Sequence, residues 1–251
     1  MGPWLILLET YEKMNKEAPG AVTPIAHTKV NADIGVLLSD DGHFCGAMQI
    51  TGIRETIPCT IDSESRTSDT SPHPIHDNIT YLAQNSKYST RHIVYMGQLS
   101  KYVQNTSDPL ATAVYNYLRR GTLLDDISEL LKIVPNPEKA FIVFTTKSHK
   151  ESPAWTDYYL STLPINGICS ITGNPDHIPA KYPRDIRFPG DKARLFQAST
   201  KEVDSMVQTA PGYIATQKII HTLQALIYDI HISQKELLEK YGITIEEAAT
   251  I

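Results

Sequence analysis

A polar turn over residues 39–42 is the feature that most constrains what this chain can fold into. It ends in Asp41-Gly42 and separates two largely apolar runs, 34–38 and 44–50. Glycine after aspartate supplies the positive-φ backbone conformation that a tight hairpin turn requires. The sequence therefore predicts two antiparallel strands that meet at this turn.

Helical spacing of apolar residues and short apolar runs predict the remaining elements. Asp108 followed by Pro109 is typical of a helix start, and Gly121 of a helix end. A capping box at 233–236 predicts a separate late helix. We expect an α+β fold, a mixed or antiparallel sheet packed by several helices with long polar loops. Strands are predicted near 34–61, 140–146 and 167–172, and helices around 4–16, 91–131, 153–162 and 211–228.

Composition places the chain among soluble globular proteins, with 41% hydrophobic and 20% charged residues over 251 positions. A net charge of −5 argues against nucleic-acid binding by the isolated chain, because neutralising phosphates supplies most of that affinity. Three cysteines without C-x-x-C spacing support neither a disulfide framework nor a zinc ribbon. The apolar run 4–8 is too short to span a membrane, so we expect a cytoplasmic protein.

Two imidazoles and a carboxylate lie close together at His73, His76 and Asp77. Zinc needs three or four such ligands in a tetrahedral arrangement. Here the H-x-x-H spacing lies in a proline-broken loop, without the helical face and the adjacent glutamate of H-E-x-x-H. We therefore predict no metal, no cofactor and no catalytic residue. A metal-dependent hydrolase built on this cluster remains an alternative function.

Two stretches suit contact with a polyanion. The polar loop, residues 66–78, is rich in hydrogen-bond donors that suit base edges or phosphates: Arg66, Thr67, Ser68, His73 and Asn78. The basic segment, residues 181–194, carries five cations: Lys181, Arg184, Arg187, Lys192 and Arg194. Tyr182 and Phe188 lie among these cations, and aromatic rings can stack on bases. Alternatively, the chain is a pure protein-interaction module and these are ordinary solvated surfaces.

Motifs in one consistent order along the chain resemble a known family. They are Arg66-Thr67-Ser68, Pro72-His73-Pro74, Asp77-Asn78 with Tyr81-Leu82, Tyr115 to Leu123, Trp155 with Asp157-Tyr158-Tyr159-Leu160, Cys169 with Thr172-Gly173, Pro183 with Ile186-Arg187, Gly190 to Leu195, and Gln217-Lys218 with His221. Together they resemble the N-terminal region of the large subunit of the type I-C CRISPR Cascade complex, the Csd-type family. The family's Gly-Phe loop after the basic segment is shortened or missing, and its C-terminal helical bundle has no counterpart in this sequence.

The resemblance implies a non-catalytic subunit of an RNA-guided DNA surveillance complex in antiviral defence. Such a subunit recognises the protospacer-adjacent motif in double-stranded target DNA, contacts the 5′ handle of the guide RNA, and helps to recruit the helicase-nuclease. Its partners would be the other Cascade subunits, the guide RNA, target DNA and that nuclease, with no membrane. The resemblance also adds Lys218 to the expected nucleic-acid contacts. It divides the chain into an α/β region, 1–228, and a helical tail of unclear match, 229–251.

Overall fold

The computed structural model describes residues 2–64, 66, 70–84, 87, 89–184, 186–187, 191, 193–196 and 208–241. The chain forms two compact units. The central unit is the continuous stretch Ala26–Leu163, and the split unit combines Met1–Ile25 with Pro164–Ile251. The predicted division into residues 1–228 and a tail, 229–251, marked where the resemblance to a known family ends, and it stays a prediction.

The chain contains both helices and strands, as the α+β prediction requires. The helices are α1 Pro3–Glu17, α2 Ile61–Glu64, α3 Ile79–Leu82, α4 Ser89–Thr106, α5 Pro109–Leu118, α6 Leu123–Asp126, α7 Ser128–Leu131, α8 Trp155–Thr162 and α9 Tyr213–Tyr241. The strands are β1 His27–Leu38, β2 Phe44–Pro58, β3 Asp77–Asn78, β4 Phe141–Thr146, β5 Gly167–Cys169, β6 Pro175–Asp176 and β7 Gln208–Ala210. The 3-10 turn Pro137–Lys139 precedes β4.

The central unit is built on a mixed sheet of order β2-β1-β4-β3. β1 pairs antiparallel with β2 and parallel with β4, and the two-residue β3 pairs antiparallel with β4. The hairpin prediction is confirmed, with Gly42 at a φ of 86° in the turn. The predicted α+β fold with a mixed sheet is also confirmed.

One face of this sheet is covered and forms the main core of the central unit. Ile34, Val36 and Leu38 of β1 are at most 1% exposed, and α5 packs against β1 and β4. The predicted start of α5 is confirmed, because Asp108 accepts a hydrogen bond from the backbone N–H of Ala111 at 2.9 Å. The side of the hairpin that is buried is therefore the side against which α5 packs.

The split unit joins the two ends of the chain. α1 packs against α9, and a small sheet of order β6-β5-β7 lies in the same unit. α9 runs to Tyr241, so the prediction of a helix ending at 228 and a new one capped at 233–236 is wrong. The capping pattern at residues 233–236 lies inside α9 and does not start a new helix there.

No helix within the described residues has the length and apolar character needed to cross a membrane.

Candidate nucleic-acid interface

Arg66 of the polar loop is engaged by a buried carboxylate. Its two terminal nitrogens donate to the two carboxylate oxygens of Asp77 at 2.8 and 2.9 Å, and one also donates to the carbonyl of Ser71 at 3.1 Å. The guanidinium lies 4.7 Å from the ring centre of Tyr81. Only 17% of the Arg66 side chain and none of the Asp77 side chain is exposed. The guanidinium is therefore an internal part of the fold.

Asp77 is surrounded by N–H donors. Besides the two bonds from Arg66, its carboxylate accepts from the backbone N–H groups of His73 and Asn78, both at 2.7 Å. Burial raises the pKa of Asp77, while the hydrogen bonds and charge of Arg66 and the two N–H groups oppose the rise. Because paired charges with satisfied hydrogen bonds tolerate burial, we assign the ionised pair.

The two loop histidines lie inside the central unit. His73 is 6% and His76 is 5% exposed, and burial lowers the pKa of both rings, that of His76 to about 3. The Nδ1 of His76 accepts the backbone N–H of Phe144 at 3.1 Å. β3 ends two residues after this histidine, so the imidazole takes the place of a strand partner at the edge of β4.

This arrangement gives the hydrolase alternative no support. Both oxygens of Asp77 are taken by Arg66 and by backbone N–H groups, and the Nδ1 of His76 is taken by Phe144. Within the described part of the chain, no group of three or more histidine, cysteine, aspartate or glutamate side chains is arranged to hold a metal ion.

Asn78 and Ile75 are held in place by local hydrogen bonds. The side-chain oxygen of Asn78 accepts from the backbone N–H of Thr80 at 3.1 Å and so caps α3. Ile75 has a φ of 64°, a conformation that a β-branched residue rarely adopts, and its carbonyl accepts from the Tyr95 hydroxyl at 2.7 Å. Thr67 and Ser68, also predicted to contact nucleic acid, lie outside the described residues.

The basic segment differs, because described apolar residues within it and just after it are buried. Tyr182, Ile186 and Phe196 belong to one core cluster with Ile219 and Ile220 of α9. The hydroxyl of Tyr182 donates to the carbonyl of Pro211 at 2.9 Å. These anchors hold the segment against the split unit at both of its ends.

The described cations of the basic segment reach the surface to different extents. Lys181, Arg187 and Arg194 are exposed, and Arg184 is half-buried with its Nε buried. Lys192 lies outside the described residues. The segment therefore supplies a run of surface cations within one stretch of the split unit.

Arg187 is paired with a residue that the sequence reasoning missed. Its Nε and one terminal nitrogen donate to the two oxygens of Asp191, both at 2.8 Å. Asp191 also accepts from the backbone N–H of Ala193 at 3.0 Å. The hydrogen bond from Arg187 lowers the pKa of Asp191, so this carboxylate stays ionised and offsets the charge of Arg187. The i, i+4 spacing of arginine and aspartate was the available signal.

Tyr182 and Lys218 lie in environments that the sequence did not predict. Tyr182 is 1% exposed, so the idea that its ring stacks on bases is wrong, and Phe188 lies outside the described residues. Lys218 of α9 forms an ion pair with Glu12 of α1, and its ammonium lies 5.8 Å from the ring centre of Tyr11. Its side chain is 22% exposed, so Lys218 mainly joins two helices of the split unit.

Known proteins were compared with this chain over its full sequence. No curated protein matches the chain. The family described as CRISPR-associated protein (Cas_Csd1) matches residues 7–238, which includes the polar loop, the basic segment and most of α9. This match confirms the resemblance found in the sequence. The chain belongs to the Cas_Csd1 family of CRISPR-associated proteins.

Proposed function

We propose that this chain is a non-catalytic subunit of a type I-C CRISPR surveillance complex, acting in the cytoplasm. It recognises the protospacer-adjacent motif in duplex DNA, contacts the 5′ handle of the guide RNA, and helps to recruit the helicase-nuclease. Membership of a CRISPR-associated family over residues 7–238 supports this role. In RNA-guided systems the protein reads a short duplex motif, and base pairing reads the remaining sequence.

One observation carries the nucleic-acid part of the proposal: the basic segment is anchored by buried residues and keeps cations at the surface. Lys181 precedes the anchor Tyr182, and Arg194 precedes the anchor Phe196 by two residues. A cation on an anchored backbone loses less conformational freedom on meeting a phosphate than one on a free chain. Binding of a polyanion to this segment should therefore cost less conformational entropy than binding to a free chain.

The net charge of −5 fits this proposal if affinity comes from the assembly. A few phosphate contacts give weak binding by themselves, and partner subunits that hold the chain beside the duplex raise its effective concentration. We therefore expect weak DNA binding by the isolated chain and strong binding by the complex.

The test is reconstitution with the other subunits and guide RNA, comparing the wild-type chain with a Lys181→Ala/Arg194→Ala variant. Target-DNA affinity is measured at several salt concentrations. Affinity falls as salt rises, and each lost phosphate contact should make the slope of log affinity against log salt less steep by about 0.9. Motif recognition is read from the ratio of affinities for targets with and without the motif.

The matched control is Lys101→Ala/Arg119→Ala, which removes the same two residue types from exposed positions in the central unit. Its salt slope should equal that of the wild type. Full assembly with an unchanged slope for the Lys181/Arg194 variant would remove the basic segment from the DNA interface. In that case the chain is better described as a protein-interaction module.

A further inference from the structure

The ion pair between Arg187 and Asp191 in the basic segment is unequal in exposure. The side chain of Asp191 is 3% exposed, whereas that of Arg187 is 62% exposed. A molecule that approaches this pair from solvent therefore meets the guanidinium before the carboxylate. The pair contrasts with that of Arg66 and Asp77, in which both side chains are largely buried.

Four N–H donors hold the carboxylate of Asp191. One oxygen accepts from the backbone N–H of Arg187 at 3.3 Å and from its Nε at 2.8 Å. The other oxygen accepts from the Nη2 of Arg187 at 2.8 Å and from the backbone N–H of Ala193 at 3.0 Å. An ionised carboxylate has about four acceptor positions. Because two of the donors are backbone groups before and after Asp191 in the chain, the carboxylate is fixed relative to the main chain.

The same bonds fix the orientation of the Arg187 guanidinium. Its Nε and Nη2 lie on one edge of the planar group, and both donate to Asp191. A bidentate pair of this kind sets the direction of the group as well as its position. The preceding residue, Ile186, belongs to the core cluster that contains Ile219 and Ile220 of α9. The backbone that carries Arg187 is therefore anchored by packing, and its side chain is held by Asp191.

Asp191 has two opposite effects on an approaching phosphate. Its negative charge repels the phosphate, but four N–H donors surround that charge, and salt screens exposed charges over about 8 Å at physiological ionic strength. Its hold on Arg187 favours the phosphate, because an arginine that is already ordered loses less side-chain entropy on binding. The favourable effect is therefore expected to be the larger one.

We infer that Asp191 is a positioning residue of the nucleic-acid interface: it holds the exposed guanidinium of Arg187 in an orientation that meets a backbone phosphate of the target DNA or the guide RNA. Asp191 itself does not touch the phosphate. Arg187 is then a phosphate-binding cation together with Lys181 and Arg194, although it is paired within the chain. The inference rests on the proposed function, which brings the basic segment against nucleic acid.

The experiment removes the charge of Asp191 and keeps the shape of its side chain. Asp191→Asn and Arg187→Ala form a double-mutant cycle, in which the wild type, both single variants and the double variant are reconstituted with the other subunits. One arm measures affinity for target DNA near physiological salt, and a second arm measures affinity of the subunits for the guide RNA. Glu129→Gln is the matched control, because it also removes one carboxylate from an ion pair, that with Lys132 in the central unit.

We expect Asp191→Asn to weaken binding about threefold to tenfold in one of the two arms, although it removes a negative charge from a chain that binds a polyanion. Glu129→Gln should leave both affinities unchanged. In the Arg187→Ala background Asp191→Asn should cause no loss, because no guanidinium remains to be oriented.

Three results would overturn the inference and leave the proposed function standing. Unchanged or tighter binding by Asp191→Asn in both arms would mean that Asp191 only neutralises Arg187. Equal losses in both backgrounds would mean that Asp191 only stabilises the fold of the segment. The third is unchanged binding by Arg187→Ala in both arms, together with a loss for the Lys181/Arg194 variant. No loss for any of these variants would overturn the inference and the nucleic-acid part of the proposed function together.

Discussion

The polar loop of the central unit and the basic segment of the split unit were both predicted to contact a polyanion, yet they use their charges differently. In the polar loop the arginine is directed inward, and Arg66 pairs with the fully buried Asp77. In and just after the basic segment Tyr182, Ile186 and Phe196 are buried, whereas Lys181 and Arg194 are exposed.

The difference teaches that a cation's availability depends on the nearest carboxylate that the fold can bury. Asp77 has no exposed surface and is held by backbone N–H groups, so it needs a cation inside the protein. Asp191 forms the corresponding ion pair with Arg187, but the side chain of that arginine stays 62% exposed. Basic residues that look equivalent in the sequence thus differ in exposure: Arg66 is largely buried, whereas Arg187 is exposed although it is paired with Asp191.

The largest expected effect comes from Arg66→Met. Removing the guanidinium leaves the carboxylate of Asp77 buried without its counter-charge, and we expect the free energy of unfolding to fall by about 3–5 kcal/mol. Urea unfolding is followed by the fluorescence of the buried Trp155 in a Trp4→Phe background. The double variant Arg66→Met/Asp77→Asn should recover much of the loss, because no charge is then unpaired. A loss below about 1 kcal/mol would mean that this pair resembles a surface ion pair.

Acid should destabilise the polar loop through His76. Its pKa is about 3 in the folded chain and about 6.5 in an unfolded one, so between these values the unfolded chain binds more protons. Stability is therefore full above about pH 6.5 and is lost as the pH falls towards 3, by up to about 1.4 kcal/mol per pH unit for this group.

The pH dependence is measured by urea unfolding at several pH values between 7 and 4. His76→Gln should flatten the curve relative to the wild type, whatever its effect on stability at pH 7. Equal slopes for the wild type and His76→Gln would contradict the assignment of a neutral buried ring.

A smaller effect is expected for the anchor of the basic segment. Tyr182→Phe keeps the ring in the core and removes only the hydroxyl that donates to Pro211, so unfolding free energy should fall by about 1 kcal/mol. Chemical denaturation measures the change, and Tyr115→Phe at a half-buried position of α5 serves as the control. No change for Tyr182→Phe would show that packing alone anchors the segment.

The smallest effect on stability should come from Lys181→Ala and Arg194→Ala. Both side chains are exposed, so each substitution should change the free energy of unfolding by less than about 0.5 kcal/mol, measured by the same urea titration. A loss comparable to that of Arg66→Met would mean that the two segments do not differ in the way proposed.

The parts of the fold that local chemistry determines could be predicted from the sequence. The hairpin follows from the Asp41-Gly42 turn, and the start of α5 follows from Asp108 and Pro109. The length of β2 could not be predicted in this way. Its pairing with β1 continues through a register shift between Ala32 and Ile34, and the side chain of Asp33 accepts the backbone N–H of Phe141 at 2.8 Å. The contact between Asp33 and Phe141 joins residues more than a hundred positions apart, so it leaves no local pattern.

The two candidate segments stay predictions, and the structure adds detail that the sequence did not contain. Both segments were identified from donors and cations, and the family match covers them. The pairing of Arg66 with Asp77 was missed because the loop between them has no regular period that would bring them together. The burial of Tyr182 was missed because an aromatic ring beside cations fits a core as well as a stacking platform.

The split unit has a consequence for how the chain folds during synthesis. α1 is synthesised before the central unit, but its partner α9 begins at Tyr213, so this helix pair cannot form until synthesis has passed that residue. The central unit needs only Ala26–Leu163 and is complete much earlier. We therefore expect nascent chains halted near residue 200 to contain a protease-resistant central unit and a protease-sensitive N-terminus.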